Sequence, residues 1–170
     1  SLSKGFASTG VGIAISEGRL GLGDPVISFF PDETPKVPSE NLKKMTVGDL
    51  LKMAHGHHGN ADRSVMKWDD PDWVRNWLAF EVDHTPGTHW AYSNSVTYIL
   101  SAIMQKVTGQ RLVDYLQPRL FIPLGIEKSV WDESPEGISL GGSGLRLRTE
   151  DILRLGQLYL QGGMWNGTRL

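Results

Sequence analysis

The stretch Ser1-Leu2-Ser3-Lys4-Gly5-Phe6-Ala7-Ser8-Thr9-Gly10-Val11-Gly12-Ile13-Ala14-Ile15-Ser16 decides how the rest of the chain is read. Leu2, Phe6, Ala7, Val11, Ile13, Ala14 and Ile15 recur among small residues, and Gly18 stands where a helix would stop. With apolar residues on most sides, residues 2–17 are predicted to form a central buried helix. Gly5, Gly10 and Gly12 each cost about 1 kcal/mol against Ala in a helix. A neighbour is therefore expected to approach that backbone closely.

Ser1 and Lys4 are three residues apart, so on a helix they share a face. A lysine whose pKa is lowered by burial or a nearby cation can accept a serine hydroxyl proton. A serine at the first turn also lies where helix N–H groups and the positive dipole end favour an oxyanion. The same pattern recurs as Ser64-Val65-Met66-Lys67, between Arg63 and Asp69-Asp70. No buried helix follows that copy, which predicts a solvated loop. The bland alternative for Ser1 is a helix N-cap followed by an exposed Lys4.

Composition narrows the class of molecule. Hydrophobic residues at 39% and charged residues at 21% of 170 exclude a disordered chain. Seventeen basic against nineteen acidic residues leave a net charge of -2, without the positive excess that nucleic-acid binding needs. No apolar run approaches the ~18 residues of a membrane span. There is no cysteine, hence no disulfide, thiolate zinc site or cysteine nucleophile; this suits an oxidising space as well as the cytosol.

Downstream, Thr46-Val47-Gly48-Asp49 resembles a capping box opening a short helix over 46–54. Asp69 to Pro71 leads into a helix of about ten residues bearing Trp73, Val74, Trp77 and Leu78. Residues 83–94 are expected to be an irregular loop. Val96, Ile99, Leu100, Ile103 and Val107 define a helix over 95–108 that Gly109 ends. Leu112 to Leu120 continues as a helix strained at Pro118. Short strands are expected around Lys128–Trp131 and Ile138–Leu140. A last helix takes Thr149 as N-cap and stops at Gly162-Gly163. Asn166-Gly167 is a turn after which a strand should follow, and a turn is a better reading of Asn166-Gly167-Thr168 than a glycan site. Both ends read as cuts within a domain. Gly18, Gly21 and Gly23 lack the flanking strand and helix of a phosphate cradle.

Two further groups could carry chemistry. In an extended loop Tyr92 and Asn94 point the same way. A phenol beside an ammonium can relay a proton, and a carboxamide can hold a carbonyl. Otherwise Ser93 or Asn94 simply caps the following helix, and Trp90 and Tyr92 are core aromatics. His55-Gly56-His57-His58, with Asp62, His84 and His89, offers imidazoles of the kind that bind zinc. Placed in a Gly-punctuated loop, these are expected to cap carbonyls rather than hold a metal.

Taken together, Ser1 to Thr9 resembles the nucleophile helix of the serine β-lactamase and penicillin-binding protein superfamily, nearest its class C β-lactamase and esterase branch. Pro86-Gly87-Thr88-x-Trp90-x-Tyr92-Ser93-Asn94 resembles that branch's second motif. Pro123-Leu124-Gly125-Ile126 and Gly144-Leu145-x-x-x-Thr149-Glu150-Asp151-Ile152-Leu153-Arg154 resemble two further landmarks, all in the right order. The resemblance implies the α/β β-lactamase/transpeptidase-like fold, of which residues 1–170 would be a mainly α part: a partial catalytic domain truncated at both ends, holding the helical region and the nucleophile helix, with most of the antiparallel sheet missing.

It implies that Ser1 is acylated, Lys4 is its general base, Tyr92 relays the proton to the leaving group and Asn94 contacts substrate and Lys4. It further implies no cofactor or metal, and a small-molecule ester, amide or β-lactam as substrate. Gly5 departs from the family's usual Ser or Thr. The third, Lys-Thr-Gly-like strand motif is absent, and His84-Thr85-Pro86-Gly87 does not replace it; the family carries that strand beyond the position of Leu170. The 170 residues alone are therefore expected to be inactive.

Rival readings are a D-alanyl carboxypeptidase or transpeptidase of the same fold, and a non-catalytic binding or sensor domain. The latter would lack Ser, Lys or Tyr, whereas all three are present. An N-terminal nucleophile hydrolase would use the Ser1 amine as base, but such nucleophiles open a strand rather than a helix.

Overall fold

The computed structural model describes residues 1–58 and 61–170. It is mainly helical: α1 Ser3–Ser16, α2 Glu40–Lys44, α3 Val47–Leu51, α4 Ala61–Val65, α5 Trp73–Ala79, α6 Asn94–Thr108, α7 Leu112–Leu116 and α8 Thr149–Leu160. Among the described residues, four two-residue strands form two antiparallel pairs. β1 Val130–Trp131 pairs with β2 Leu145–Arg146, and β3 Met164–Trp165 with β4 Thr168–Arg169.

The central helix is α6, not α1. Every residue from Ser95 to Met104 is buried, and α1, α3, α4, α5 and α7 all pack around it. Serines at 95 and 101 let neighbours come close where larger residues would hold them off, and Ser95 Oγ accepts the Trp77 Nε1–H at 3.1 Å. Gly109 ends α6 in the left-handed conformation, its N–H donating to Gln105 O at 2.9 Å. The helix α1 buries one face, through Ser3, Phe6, Ala7, Gly10, Val11 and Ala14, and leaves Ser8, Gly12 and Ser16 exposed. A close approach is real at Gly10, where a Cβ would come within 2.9 Å of Leu112 Cδ1. At Gly12 no atom of the described residues outside the helix's own backbone lies within 4 Å of such a Cβ, so the expectation fails there.

Other expectations shift for local reasons. The helix expected over 46–54 is α3, with Thr46 as N-cap and Asp49 completing the box; it stops early because Met53 turns left-handed at φ 54°. The helix α2, capped by Ser39 Oγ accepting the Leu42 N–H, was not foreseen. Ser64 lies in α4 instead of a loop: it is exposed, but burial of Val65 in the core organises the turn. Pro118 lacks the N–H to continue α7, and Gln117–Phe121 widens into a π turn closed by Ile122 N–H to Gln117 O. The partner of β1 is Leu145–Arg146, whereas residues 138–140 contribute only a single bridge, Ser139 to Glu133. Arg148, not Thr149, precedes the first turn of α8, and the buried Asp151 carboxylate accepts its N–H and guanidinium. Asn166 and Gly167, at φ 47° and 80°, make the hairpin turn before β4. Among the described residues no helix is long and apolar enough to cross a membrane.

Two histidines lie in the core. His57 packs on Trp77 and Phe80 at 4.5 and 5.7 Å between ring centroids, and neither ring nitrogen has a hydrogen-bond partner among the described residues. Burial, aided by His55, holds its pKa down to about 3. Since the unfolded imidazole titrates near 6.5, the unfolded chain binds the extra proton in between. Stability from neutral His57 is full above pH ~6.5 and is lost as pH falls towards 3, at up to about 1.4 kcal/mol per unit. Urea melts of the wild type and His57→Phe at pH 7.5 and 4.5 should show the wild type losing more stability on acidification; equal losses would show that His57 does not titrate with folding.

Candidate active site

Four side chains singled out in the sequence meet at the open end of α1. Ser1 precedes the helix, and its carbonyl accepts the Lys4 N–H at 3.2 Å, so the first turn keeps both residues together. Ser1 Oγ and Tyr92 Oη share a hydrogen bond of 2.5 Å. Lys4 Nζ lies 4.8 Å from the centre of the Tyr92 ring and donates to Asn94 Oδ1 at 2.6 Å and Gly142 O at 2.7 Å. Tyr92 is 49% exposed and Trp90 66%, so neither is a core aromatic. The neighbouring Lys4 side chain, then the hydrogen bond with Ser1, lowers the Tyr92 phenol below its usual pKa.

Behind Asn94 stands Asp62, which the sequence pattern groups with the histidines instead. From α4, Asp62 accepts Ser93 Oγ–H at 2.6 Å, the Asn94 and Ser95 N–H groups at 2.8 and 2.9 Å, and Asn94 Nδ2–H at 3.1 Å. Its carboxylate sits on the positive end of α6, and Ser93 is the N-cap. Burial opposes the Asp62 charge, but the bonds from Ser93, Asn94 and Ser95 outweigh it and leave the pKa lowered. Because Asn94 donates through Nδ2 to Asp62, its carbonyl oxygen is turned to Lys4.

Gly142 was missed as well, because a backbone carbonyl leaves no mark in a pattern of side chains. A Cβ at Gly142 would lie 3.0 Å from Asn94 O, so only glycine lets this loop touch the start of α6. Trp131 Nε1–H donates to Ser143 O at 2.8 Å, and Leu145 N–H donates to the buried Ser3 Oγ at 3.3 Å, fixing the loop from both sides. Leu50, Leu51, Met53 and Leu100 line a recess of about 210 Å³ beside Lys4. A larger groove of about 630 Å³ runs along the open face of α1, lined by Ser8, Gly12, Ile13 and Tyr159, and touches none of the four side chains.

The histidine group divides in two. His55 is buried, accepts the His57 N–H through Nδ1 at 3.2 Å, and lies with Nε2 3.2 Å from Ala91 O. It therefore carries its proton on Nε2 and braces the residue before Tyr92. Burial lowers its pKa and keeps it neutral. His55 and His57 face the core, and Asp62 caps α6. The other three, His58, His84 and His89, gather at the surface.

The family model described as Beta-lactamase matches residues 1–159. The chain belongs to the beta-lactamase family. It is similar to the lovastatin esterase of Penicillium rubens, 26% identical over 61% of this chain and 28% of that protein. It also resembles the 6-aminohexanoate-dimer hydrolase of Paenarthrobacter ureafaciens, 25% identical over 100% of this chain and 47% of the relative. A D-stereospecific amidohydrolase from Streptomyces sp. superposes with a TM-score of 0.73 at 23% identity, over 95% of this chain and 60% of its own, which shows the shared fold. The chain thus spans less than half of either curated relative, and its helical make-up is that of part of the β-lactamase fold.

Replacing Asp62 by Ala strips partners from the first turn of α6 and from the Asn94 amide. The expected cost is about 1–3 kcal/mol, read as a lower urea midpoint at unchanged slope. A loss below 0.5 kcal/mol, on the order of a neutral surface change, would show that water replaces the carboxylate.

Proposed function

We propose that the protein carrying this chain is a serine hydrolase that cleaves a small ester or amide through an acyl-enzyme on Ser1. The observation that carries this reading is the 2.5 Å contact between Ser1 Oγ and Tyr92 Oη, with Lys4 beside the phenol. Ser1 Oγ attacks the carbonyl carbon and gives up its proton. The tetrahedral intermediate collapses, the leaving oxygen or nitrogen receives a proton, and water then repeats the sequence to free the acid. Lys4 was the expected base. The geometry favours a route in which the Tyr92 phenolate accepts the Ser1 proton and returns it to the leaving group, while the Lys4 ammonium stabilises the phenolate. Asn94 holds Lys4 and offers its amide to substrate.

The lead-in Pro86-Gly87-Thr88-x-Trp90-x-Tyr92 supports placement in the class C and esterase branch, and the names of the relatives support ester and amide substrates. A D-alanyl peptidase would use the same groups. Residues 1–170 are read as a partial catalytic domain, in keeping with the 47% of the hydrolase relative that they span.

Ser1→Ala in the intact protein should lower hydrolysis of an activated ester by at least about 10³-fold and abolish the acyl adduct seen on residue 1 by mass spectrometry. Undiminished turnover would end the assignment. Tyr92 must lose its proton to act as base, and its pKa lies below the ordinary value of ~10; the rise of kcat/KM with pH should therefore level off below pH 10. Lys4→Met should move that limb upward as well as lower the rate. A limb that stays in place would return the role of base to another group. A strong chelator should leave ester hydrolysis unchanged, and a collapse restored by zinc would overturn the serine mechanism.

A further inference from the structure

We propose that His58, His84 and His89 form a binding site for one borderline transition-metal ion, zinc being the reference case, which pins the segment leading to Tyr92 against the turn after α3. One ring nitrogen from each lies within 4.8 Å of the others. The rings of His84 and His89 stack at 4.2 Å and 29°, and His58 stands 5.9 and 6.5 Å from them. These residues come from two segments 26 or more positions apart, so the grouping is a product of the fold.

The backbone beneath the cluster is braced. His58 N–H donates to Asp83 Oδ2 at 3.0 Å, and His84 N–H donates to Gly56 O at 2.9 Å. Gly87 N–H to Ala54 O and Ala91 N–H to Met53 O continue the same strapping at 2.7 and 2.9 Å. Around tetrahedral zinc at 2.0–2.1 Å, ligand nitrogens stand roughly 3.4 Å apart. The most distant pair therefore has to close by at most about 1.4 Å, within reach of side-chain rotation because His58 and His89 are exposed. Three imidazoles and a water complete four-coordination. This donor set suits zinc, nickel or copper, whereas magnesium and calcium prefer oxygen ligands. The sequence pattern puts His55, His57, His58, Asp62, His84 and His89 in one group, with no metal expected there. The fold turns His55 and His57 into the core and leaves His58, His84 and His89 together at the surface. The ion has no part in the hydrolytic route, so the site is independent of the proposed function.

The test uses the intact protein without a histidine tag, stripped of metal by chelation and dialysis, then titrated with zinc by calorimetry. One equivalent should bind. The melting temperature should rise by roughly 5–10 °C once free zinc reaches about 100 times its dissociation constant, and magnesium should do nothing. His58→Gln and His89→Gln, surface changes expected to leave the metal-free melting temperature unaltered, should each weaken zinc binding at least ~10-fold and remove the rise. His84→Gln provides a third check. Failure to saturate, an unchanged melting temperature, or binding that survives both exposed-site variants would overturn the site. Chelation that abolished hydrolysis would instead count against the serine mechanism, so the two failures are distinguishable.

Discussion

The Lys4 ammonium is the point on which the site's geometry hangs. An ammonium has three donors and no acceptor, and a part-buried one needs oxygens around it. Lys4 finds Asn94 Oδ1 and Gly142 O, which lie 90 and 138 residues away in sequence. Three segments must therefore meet: the first turn of α1, the first turn of α6 and the glycine loop before β2. Each is fixed by something other than Lys4. The apolar face of α1 lies on α6, Asp62 caps α6, and Ser3 and Trp131 hold the loop. The ammonium fills a place that packing has already made.

Helix positions were largely legible because they rest on local chemistry. Thr46 and Asp49 announce α3, the spacing of Val96, Ile99, Leu100 and Ile103 announces α6, and Gly109 stops it. Which helix occupies the middle was not legible. The first stretch is more apolar overall, yet α6 is enclosed on every side from Ser95 to Met104, because its serines are as small as alanine and Ser95 accepts the Trp77 Nε1–H. Apolar composition describes what a helix tolerates; neighbours decide what covers it.

At the site, Ser1, Lys4, Tyr92 and Asn94 could be picked out because their side chains carry the chemistry. Asp62 could not, since its role depends on a chain crossing, and Gly142 contributes an atom that every residue owns. The histidines show the same limit. In an extended stretch residues two apart face one way, so His55 and His57 enter the core together and His58 faces out. The spacing that suggests a ligand pair in sequence is the spacing that buries both.

The order of groups from Asp62 to Ser1 explains why position 94 holds an amide. Asp62 accepts from Nδ2 and so turns Oδ1 to Lys4; Lys4 lies against the Tyr92 ring, and the phenol meets Ser1 Oγ. An aspartate at 94 would set a second carboxylate against Asp62, with no N–H to separate them, and would pair directly with Lys4. That pairing would draw positive charge away from Tyr92 and let the phenol rise towards its ordinary pKa. A leucine there would leave Asp62 and Lys4 each short of a partner. Only a group that donates on one side and accepts on the other satisfies both neighbours while passing the cation's influence on to the phenol, and the carboxamide of asparagine is the shortest side chain that does so.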